Sequence, residues 1–488
     1  MARIAGILIG SILLIVAIGC GGGSSNTVLP TPTPTPGQTF PNDTASAQTA
    51  PVKLGTSGGN DGDIGATVCC IGTLGSLWTH AGTTNPVILS NNHVLDKSGT
   101  GTPGEAIIQP LQAVCRVGHT TPLTVANLTQ AAALKPVANE TTGACQGNTT
   151  PLCGHSPSNV DAAYAEIVAG EVDTSGTILD LGPVGTTSIA AAPPSATIGV
   201  PSLSEAVSKS GRTTGLTCSN IQSLNLTILV NYDAVCGATS PAFTAYFTNQ
   251  VTISGGTFSA GGDSGSLVVD TSTSRAVGLL YGGNSTSTVA NPIQDVIAAF
   301  GGPAAFNIVG GADHAVSCAH TATASATQVG TTQAALLPQE RQRVTAVQQR
   351  RAAQLMQDAS IKSVTVGASA DNPNEGALLI QVSGSTIPRV PPSIDGVRTR
   401  LVFDASANPH FSIGAQEVDR ATIVKEAHVG SLMGQPGIQG VGVSLSADNP
   451  AETAVSIYVV KGVAHAPIPA VIDGVRTRIF EGDRFRAY

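Results

Sequence analysis

Short apolar runs, separated by glycine, proline, asparagine and serine, fill the sequence from about residue 51 to residue 312. The clearest are PVILSNNHVL, DAAYAEIV, LNLTILVNY, AFTAYFTNQVTI, SGSLVVD and AVGLLYGG. Leu224, Leu226 and Ile228 alternate with polar residues, which is typical of half-buried antiparallel strands. Many short strands in one region predict a β-barrel or a β-sandwich. One helix is expected at NPIQDVIAAF, with Asn291 as its cap and Pro292 in its first turn.

The composition suits a β-rich, exported protein. Charged residues make up 11% of the 488 residues, aromatic residues 3%, and there are 56 glycines. The formal net charge of −8, without any cluster of lysine and arginine, argues against nucleic acid as a partner.

The N-terminal stretch MARIAGILIGSILLIVAIGC has the layout of a secretory signal, with one arginine, an apolar run and small residues before Cys20. Its end, AIGC, resembles the lipobox of bacterial lipoproteins. The resemblance implies cleavage that leaves Cys20 as the first residue, with a lipid attached to it. The protein would then be anchored to a membrane and face the periplasm or the cell exterior. An uncleaved N-terminal anchor remains the alternative. Residues 21–50 contain alternating Thr-Pro, which favours an extended linker.

Eight further cysteines predict disulfides in an exported protein. We expect the pairs Cys145–Cys153 and Cys218–Cys236, because each would close a short local loop. No Cys-x-x-Cys pair occurs, so neither a zinc site nor a redox dithiol is expected. We therefore predict no cofactor and no bound metal. The eight cysteines are Cys69, Cys70, Cys115, Cys145, Cys153, Cys218, Cys236 and Cys318.

The C-terminal third repeats itself after a small-residue linker at 313–337. SADNP at 369–373 returns at 446–450, a shift of 77, and IDGVRTR at 394–400 returns at 472–478, a shift of 78. Two nearly equal shifts in different motifs indicate a tandem duplication. We predict an α+β module at 338–488, with copies at about 338–410 and 415–488.

Three motifs carry groups suited to nucleophilic catalysis. Ser264 lies in FSAGGDSGSLVV, His93 in VILSNNHVL and Asp161 in NVDAAYAEI. A serine hydroxyl needs a base to take its proton, and the base needs a third group to orient it. His93 follows an apolar run at a strand end, and Asp161 heads a strand, with Asp173 and Asp180 as alternatives. The other histidines before Ser264 lie among turn residues; they are His80, His119 and His155.

In the order His, Asp, Ser, these motifs resemble those of the chymotrypsin-like serine peptidases. GDSGS, KSGRTTGLT and GLLYGGNSTSTVANPI look most like bacterial trypsin-like members. The resemblance implies a double β-barrel over residues 51–312, with the active site between the barrels. It implies Ser264 as nucleophile, His93 as general base and acid, and Asp161 as the residue that orients His93. The backbone N–H groups of Gly262 and Ser264 would form the oxyanion hole, where glycine lets the peptide turn.

The same resemblance gives a specificity pocket. Phe258 lies six residues before Ser264, where members that prefer basic residues carry an aspartate. With Tyr281, Gly282 and Gly283 as further pocket residues, a neutral or apolar preference follows. Asp263 pairs with a freed N-terminus in zymogen-type members, and the sequence leaves activation open.

The sequence thus predicts an all-β double-barrel peptidase domain followed by a smaller α+β tandem-repeat module. The predicted function is that of an exported serine endopeptidase that acts on proteins or peptides and is held at a membrane by a lipid. Two alternatives stay open: a catalytically silent binding lipoprotein on the same fold, and a protein that cuts only its own linker at 313–337.

Overall fold

A computed structural model describes residues 43–63, 71–111, 122–137, 157–183, 189–233, 241–318, 336–384, 387–403 and 413–488. No helix within these ranges is long and apolar enough to cross a membrane. The predicted signal and linker, including Cys20, lie outside the described residues, as do Cys145, Cys153 and Cys236.

Strands dominate the part of the chain before residue 318. In chain order they are β1 (Thr56–Asn60), β2 (Gly72–Leu74), β3 (Ser76–His80), β4 (Val87–Ser90), β5 (Ala106–Gln109), β6 (Leu123–Ala131), β7 (Pro136–Val137), β8 (Ala163–Ile167), β9 (Ala206–Gly211), β10 (Gly215–Asp233), β11 (Pro241–Ser254), β12 (Leu267–Asp270), β13 (Ala276–Gly283), β14 (Ser287–Pro292) and β15 (Phe306–Ile308). Each of the six apolar runs singled out in the sequence contains one of these strands or lies within one, which confirms that prediction.

The helices that lie wholly within the described residues before 318 are short. They are α1 (Asn92–Leu95) and α2 (Ile293–Ala299), with 3-10 turns at Asp61–Asp63 and Lys97–Gly99. Helix α2 confirms the predicted helix, but its predicted cap is wrong. Pro292 occupies the cap position, and no side chain caps the helix. Asn291 is instead fully buried and bonds to main-chain groups on other elements.

Two curled sheets result from the strand pairing. The first has eight strands in the order β15-β3-β4-β8-β6-β5-β1-β2 and forms a half-barrel. In the second, strands β10, β9, β12, β13, β14 and β11 are neighbours in turn, and β11 pairs again with β10, so these strands form a ring. The fold is mostly β and is consistent with a double barrel.

The apolar side chains of both curled sheets are buried. One cluster lines the half-barrel and includes Leu77, Trp78 and Ile88, none of which is exposed. Smaller clusters fill the ring, one around Tyr232, Phe247 and Tyr281. Burial of this apolar surface is the main favourable term in folding of these sheets.

Two segments with the same order of elements follow residue 336. The first contains α3 (Pro338–Leu355), β16 (Ile361–Ala368), β17 (Gly376–Val382), β18 (Ser393–Ile394) and β19 (Val397–Phe403). The second contains α4 (Ala415–Met433), β20 (Ile438–Leu445), β21 (Thr453–Val460), β22 (Val471–Ile472) and β23 (Val475–Gly482), and is followed by β24 (Arg486–Ala487). The first forms a sheet of its own, whereas in the second β20 pairs with β10.

The recurring motifs of these segments contact each other reciprocally. The Ser369 hydroxyl bonds to Asp448 at 2.5 Å, and the Ser446 hydroxyl bonds to Asp371 at 2.6 Å. The arginines of the two DGVRTR motifs do the same, since Arg398 donates to the carbonyl of Thr477 and Arg476 donates to that of Thr399, at 2.7 and 2.8 Å.

A disulfide joins Cys218 to Cys318 across 100 residues of sequence. The predicted pair Cys218–Cys236 is therefore wrong. The reason is that Cys218 lies near the start of β10, which continues as one strand to Asp233. An extended strand rises about 3.3 Å per residue, so this stretch cannot close the short local loop that the sequence spacing implied.

Candidate active site

The pairing of β4 with β8 brings His93 to Asp161. The antiparallel register matches Ser90 with Ala163, so the residues after β4 lie beside those before β8. Nδ1 of His93 is 2.6 Å from Oδ2 of Asp161, and the main-chain N–H of His93 donates to Oδ1 at 3.2 Å. The side chain of His93 is 9% exposed, whereas that of Asp161 is fully buried. The carboxylate thus fixes both the ring and the backbone of the histidine.

Two further residues hold the carboxylate of Asp161 and its backbone. The hydroxyl of Tyr232 donates to Oδ2 at 2.7 Å. Asn291 accepts from the main-chain N–H of Asp161 at 3.0 Å and donates to its carbonyl at 3.1 Å. A buried carboxylate needs such donors, because an isolated charge in a protein interior is costly. Burial and the neighbouring Asp161 raise the pKa of Tyr232 well above its usual value, which keeps its hydroxyl a donor.

Sequence reasoning missed Tyr232 and assigned Asn291 to a cap. Neither lies near Asp161 in the sequence, and their partners follow only from the pairing of distant strands. A signal was present for Asn291, because it lies near the end of the long motif GLLYGGNSTSTVANPI that carried the family resemblance.

Ser264 lies on a tight turn before β12. Gly262 has a φ of 98° and Gly265 a φ of 93°, a region that strongly favours glycine. The carbonyl of Ser264 accepts from the N–H of Thr73 at 2.8 Å, and the Thr73 hydroxyl donates to the carbonyl of Gly262 at 2.9 Å. These bonds fix the turn of the second sheet against the first.

Both proposed oxyanion-hole donors are on this turn. Within the described residues, the N–H groups of Gly262 and Ser264 have no hydrogen-bond acceptor. Both residues are buried, and buried N–H groups usually have a partner, so these two are available to an acceptor atom.

Asp263, between these donors, forms a buried ion pair with Lys209 at 3.5 Å. Its carboxylate also accepts from the N–H groups of Ala260, Thr213 and Thr214, at 2.9, 2.8 and 3.1 Å. Burial lowers the pKa of Lys209, and the charge of Asp263 opposes that shift. The structure thus satisfies Asp263 with an internal lysine, a partner that the sequence did not indicate.

Among the described residues, Ser264 has no hydrogen bond to His93, and the two are connected through Tyr281 and Tyr488. The hydroxyl of Ser264 donates to the carbonyl of Tyr281 at 3.1 Å. The N–H of Tyr488 points to that same carbonyl at 3.3 Å, while the main-chain oxygen of Tyr488 lies 3.0 Å from Nε2 of His93. Tyr488 therefore contacts both His93 and the carbonyl that accepts from Ser264, and no sequence signal had indicated it.

The predicted pocket residues occupy different positions. Phe258 is buried, with Nζ of Lys209 5.8 Å from its ring centre. Tyr281 presents its carbonyl to the cleft, whereas its ring packs behind, 5.1 Å from the ring of Phe247. Gly282 and Gly283 pair with β24. The alternatives to Asp161, namely Asp173 and Asp180, are not bonded to His93 in the described structure. Among the described residues, no cluster of histidine, cysteine, aspartate and glutamate could hold a metal ion.

No protein-family model matches the chain, and no curated protein matches it. Solved structures do match, and several of them are proteases. A glutamic acid specific serine protease is 17% identical, with 53% of this chain and 100% of that chain covered and a TM-score of 0.32. Nocardiopsis protease and Thermobifida fusca protease A are each 14% identical, with 53% of this chain and 98% of theirs covered and TM-scores of 0.32.

Proposed function

We propose that residues 51–312 form a serine endopeptidase in which His93, Asp161 and Ser264 act as the catalytic triad. The observation that carries this proposal is the arrangement around one cleft. A histidine is bonded to a buried carboxylate at 2.6 Å, and Tyr488 connects it to the Tyr281 carbonyl that accepts from Ser264. That serine lies on a glycine turn, where the N–H groups of Gly262 and Ser264 have no acceptor among the described residues. Such a set of base, orienting acid, nucleophile and oxyanion donors performs acyl transfer.

The reaction would proceed in two steps. Nε2 of His93 accepts the hydroxyl proton of Ser264 as Oγ attacks a peptide carbonyl, and the N–H groups of Gly262 and Ser264 stabilise the oxyanion. His93 then gives the proton to the leaving amine, which leaves an acyl group on Ser264. Water, activated by the same imidazole, attacks this ester and releases the second product. Asp161 keeps the ring oriented and stabilises its protonated form during both steps.

Activation is proposed to need no freed N-terminus. Asp263 already has the buried cation Lys209 and three main-chain donors. In this account the turn that carries Ser264 is held in place by the folded chain itself.

The remaining parts of the protein complete the proposal. The N-terminal stretch would export the protein and anchor it through Cys20, so that its substrates are proteins or peptides outside the cytoplasm. Residues 338–488 would be a duplicated α+β module, which is supported by the equal order of elements and the reciprocal contacts of the repeated motifs.

A fluorophosphonate probe tests the proposal, since it reacts with activated serines. Full-length wild-type protein should gain one adduct by intact mass, mapped to Ser264 by peptide analysis, and Ser264→Ala should gain none. Ser272→Ala, a change at an exposed serine, should be labelled like the wild type.

Absence of labelling in folded protein under all conditions would contradict the proposal and favour a silent binding protein. Casein cleavage and the intact mass of the protein should be measured in the same incubation. A general peptidase cleaves casein, whereas a protein that cuts only its own linker loses mass and leaves casein intact.

A further inference from the structure

Residues 485–488 lie in the candidate cleft as an added strand. Arg486 and Ala487 form β24, which pairs antiparallel with Gly283 and Gly282 of β13. On the other side, the N–H of Asn231 in β10 donates to the carbonyl of Phe485 at 3.0 Å. Addition of a strand to a sheet is a common way in which a protein binds an extended peptide.

The main chain of Tyr488 lies at the centre of the site. Its N–H faces the Tyr281 carbonyl at 3.3 Å, and its oxygen lies 3.0 Å from Nε2 of His93. With Nδ1 bonded to Asp161, Nε2 is the only ring nitrogen that can take the proton of Ser264. While Tyr488 is seated, that nitrogen is occupied.

The side chain of Tyr488 lies against two of the residues predicted for the specificity pocket, Phe258 and Gly283. Its ring packs against the apolar cluster that contains Phe258, and the hydroxyl of Ser259 lies 3.5 Å from its own hydroxyl. A Cβ placed on Gly283 would overlap the Tyr488 hydroxyl, so glycine at this position leaves the space that the ring uses. Burial raises the pKa of Tyr488 to about 12, so the phenol is neutral in the pocket.

Two side chains anchor the segment before it reaches the pocket. Phe485 is fully buried, with its ring 5.7 Å from that of Tyr458. Arg486 forms an ion pair with Asp233 at 3.2 Å. The segment is thus seated by a buried ring, an ion pair, a strand pairing and a pocket-filling tyrosine.

We propose that residues 485–488 are a built-in peptide ligand of the catalytic cleft, which blocks substrate and shows that the pocket accepts tyrosine. The proposal rests on the proposed function and deepens it. A substrate would pair with β13 as Arg486 and Ala487 do, and would place a tyrosine or another aromatic side chain in the pocket beside Phe258. It could bind only when the segment leaves the cleft.

The test uses the full chain with three substitutions. Tyr488→Ala removes the pocket-filling ring, Tyr488→Phe keeps it, and Arg484→Ala changes an exposed residue just before the segment. We expect Tyr488→Ala to react with a fluorophosphonate at least about tenfold faster than the wild type, because the open fraction of the cleft rises. Tyr488→Phe should restore most of the block, and Arg484→Ala should match the wild type. Circular dichroism melting establishes that each variant is folded.

Peptide binding gives a readout that does not need catalysis. A fluorescein-labelled Phe-Arg-Ala-Tyr peptide, followed by anisotropy, should bind Tyr488→Ala and bind the wild type at least about tenfold more weakly. Phe-Arg-Ala-Asp is the matched control and should bind neither protein. If the variant is labelled, it should also cleave after tyrosine about 100-fold better than after lysine, because lysine leaves an unpaired charge in the apolar pocket.

Equal labelling and equal peptide binding in wild type and Tyr488→Ala would overturn the built-in ligand while leaving the peptidase intact. Binding of the tyrosine peptide to the variant, with no fluorophosphonate adduct in any protein, would support the ligand and overturn the peptidase.

Discussion

Tyr232 is the residue whose role in the site can be tested most cleanly, because the structure offers a matched control. Its hydroxyl donates to Asp161 at 2.7 Å, whereas the hydroxyl of the neighbouring Tyr281 is buried without a hydrogen-bond partner among the described residues. In the proposed mechanism Tyr232 is thus a positioning residue, which acts on His93 through Asp161.

Tyr232→Phe should lower kcat about 10- to 100-fold with little change in KM, because a hydrogen bond to a charged group contributes about 1.5–3 kcal/mol. Tyr281→Phe should cost much less, since no bond is lost. Peptide hydrolysis by the two variants, compared at several substrate concentrations, separates kcat from KM. Equal losses in both variants would mean that ring packing alone matters.

The buried ion pair between Lys209 and Asp263 gives a second prediction for single residues. Lys209→Met leaves the buried Asp263 without its cation, and loss of one partner of a buried pair costs about 3–5 kcal/mol. Urea denaturation should show this loss in the free energy of unfolding, and fluorophosphonate labelling of Ser264 should slow because the turn loses its anchor.

The double variant Lys209→Met/Asp263→Asn supplies the control for that experiment. It removes both charges and should recover part of the stability. A double variant less stable than the single one would show that the pair is not the source of the loss.

At the residue scale, the sequence indicated the three residues of the proposed triad but not the residues that hold them. His93, Asp161 and Ser264 each stand in a local motif at the end or start of a strand, where spacing and turn residues can be recognised. Tyr232 stands inside an ordinary strand sequence, Lys209 begins the motif KSGRTTGLT without any sign of its partner, and Tyr488 lies far in sequence from His93. Their roles depend on which strands become neighbours, which local patterns do not contain.

At the scale of elements, the Cys218–Cys318 disulfide ties β10 to the chain that follows the second sheet. A cross-link that closes a loop of this length stabilises a fold by roughly 2–5 kcal/mol, chiefly by restricting the unfolded chain. Replacement of both cysteines by serine should lower the free energy of unfolding by this amount in urea titrations. An unchanged midpoint and slope would contradict a stabilising role.

Strand existence was predictable, whereas strand length and partners were not. Alternation around Leu224, Leu226 and Ile228 predicted a strand, but β10 extends over 19 residues and pairs with β9, β11 and β20. The cysteine prediction failed for the same reason, since proximity in sequence was taken as proximity in space along a strand that does not turn back.

At the scale of the whole molecule, the repeated motifs join the two C-terminal segments through buried charges. Asp448 accepts from Ser369 and lies near Asp371 and Arg476. Burial, with repulsion by Asp371, raises the pKa of Asp448 from 3.8 to about 6. The folded protein therefore binds this proton more tightly than the unfolded chain does, and the resulting stabilisation is lost as the pH rises from about 4 through about 6.

Asp448→Asn should remove this pH dependence. The melting temperature of the wild type, measured relative to the variant from pH 4 to pH 7, should fall as the pH rises. Subtracting the melting temperature of the variant removes the pH dependence that the other carboxylates contribute to both proteins. A difference that is constant over this range would contradict the assignment to Asp448.

The repeat was visible in the sequence, but the strands with which the repeated segments pair were not. SADNP and IDGVRTR recur because each copy makes the same contacts to the other. That β20 would pair with β10, and that β24 would reach β13 beside His93, depends on contacts between residues more than 200 positions apart in sequence.

The most direct test of the catalytic assignment is the rate of casein hydrolysis by full-length wild type, Ser264→Ala and His93→Ala. If these residues form one nucleophilic centre, each change lowers kcat by at least about 10⁴-fold, and the double variant is no slower than the slower single variant. Hydrolysis by Ser264→Ala at the wild-type rate would contradict the assignment.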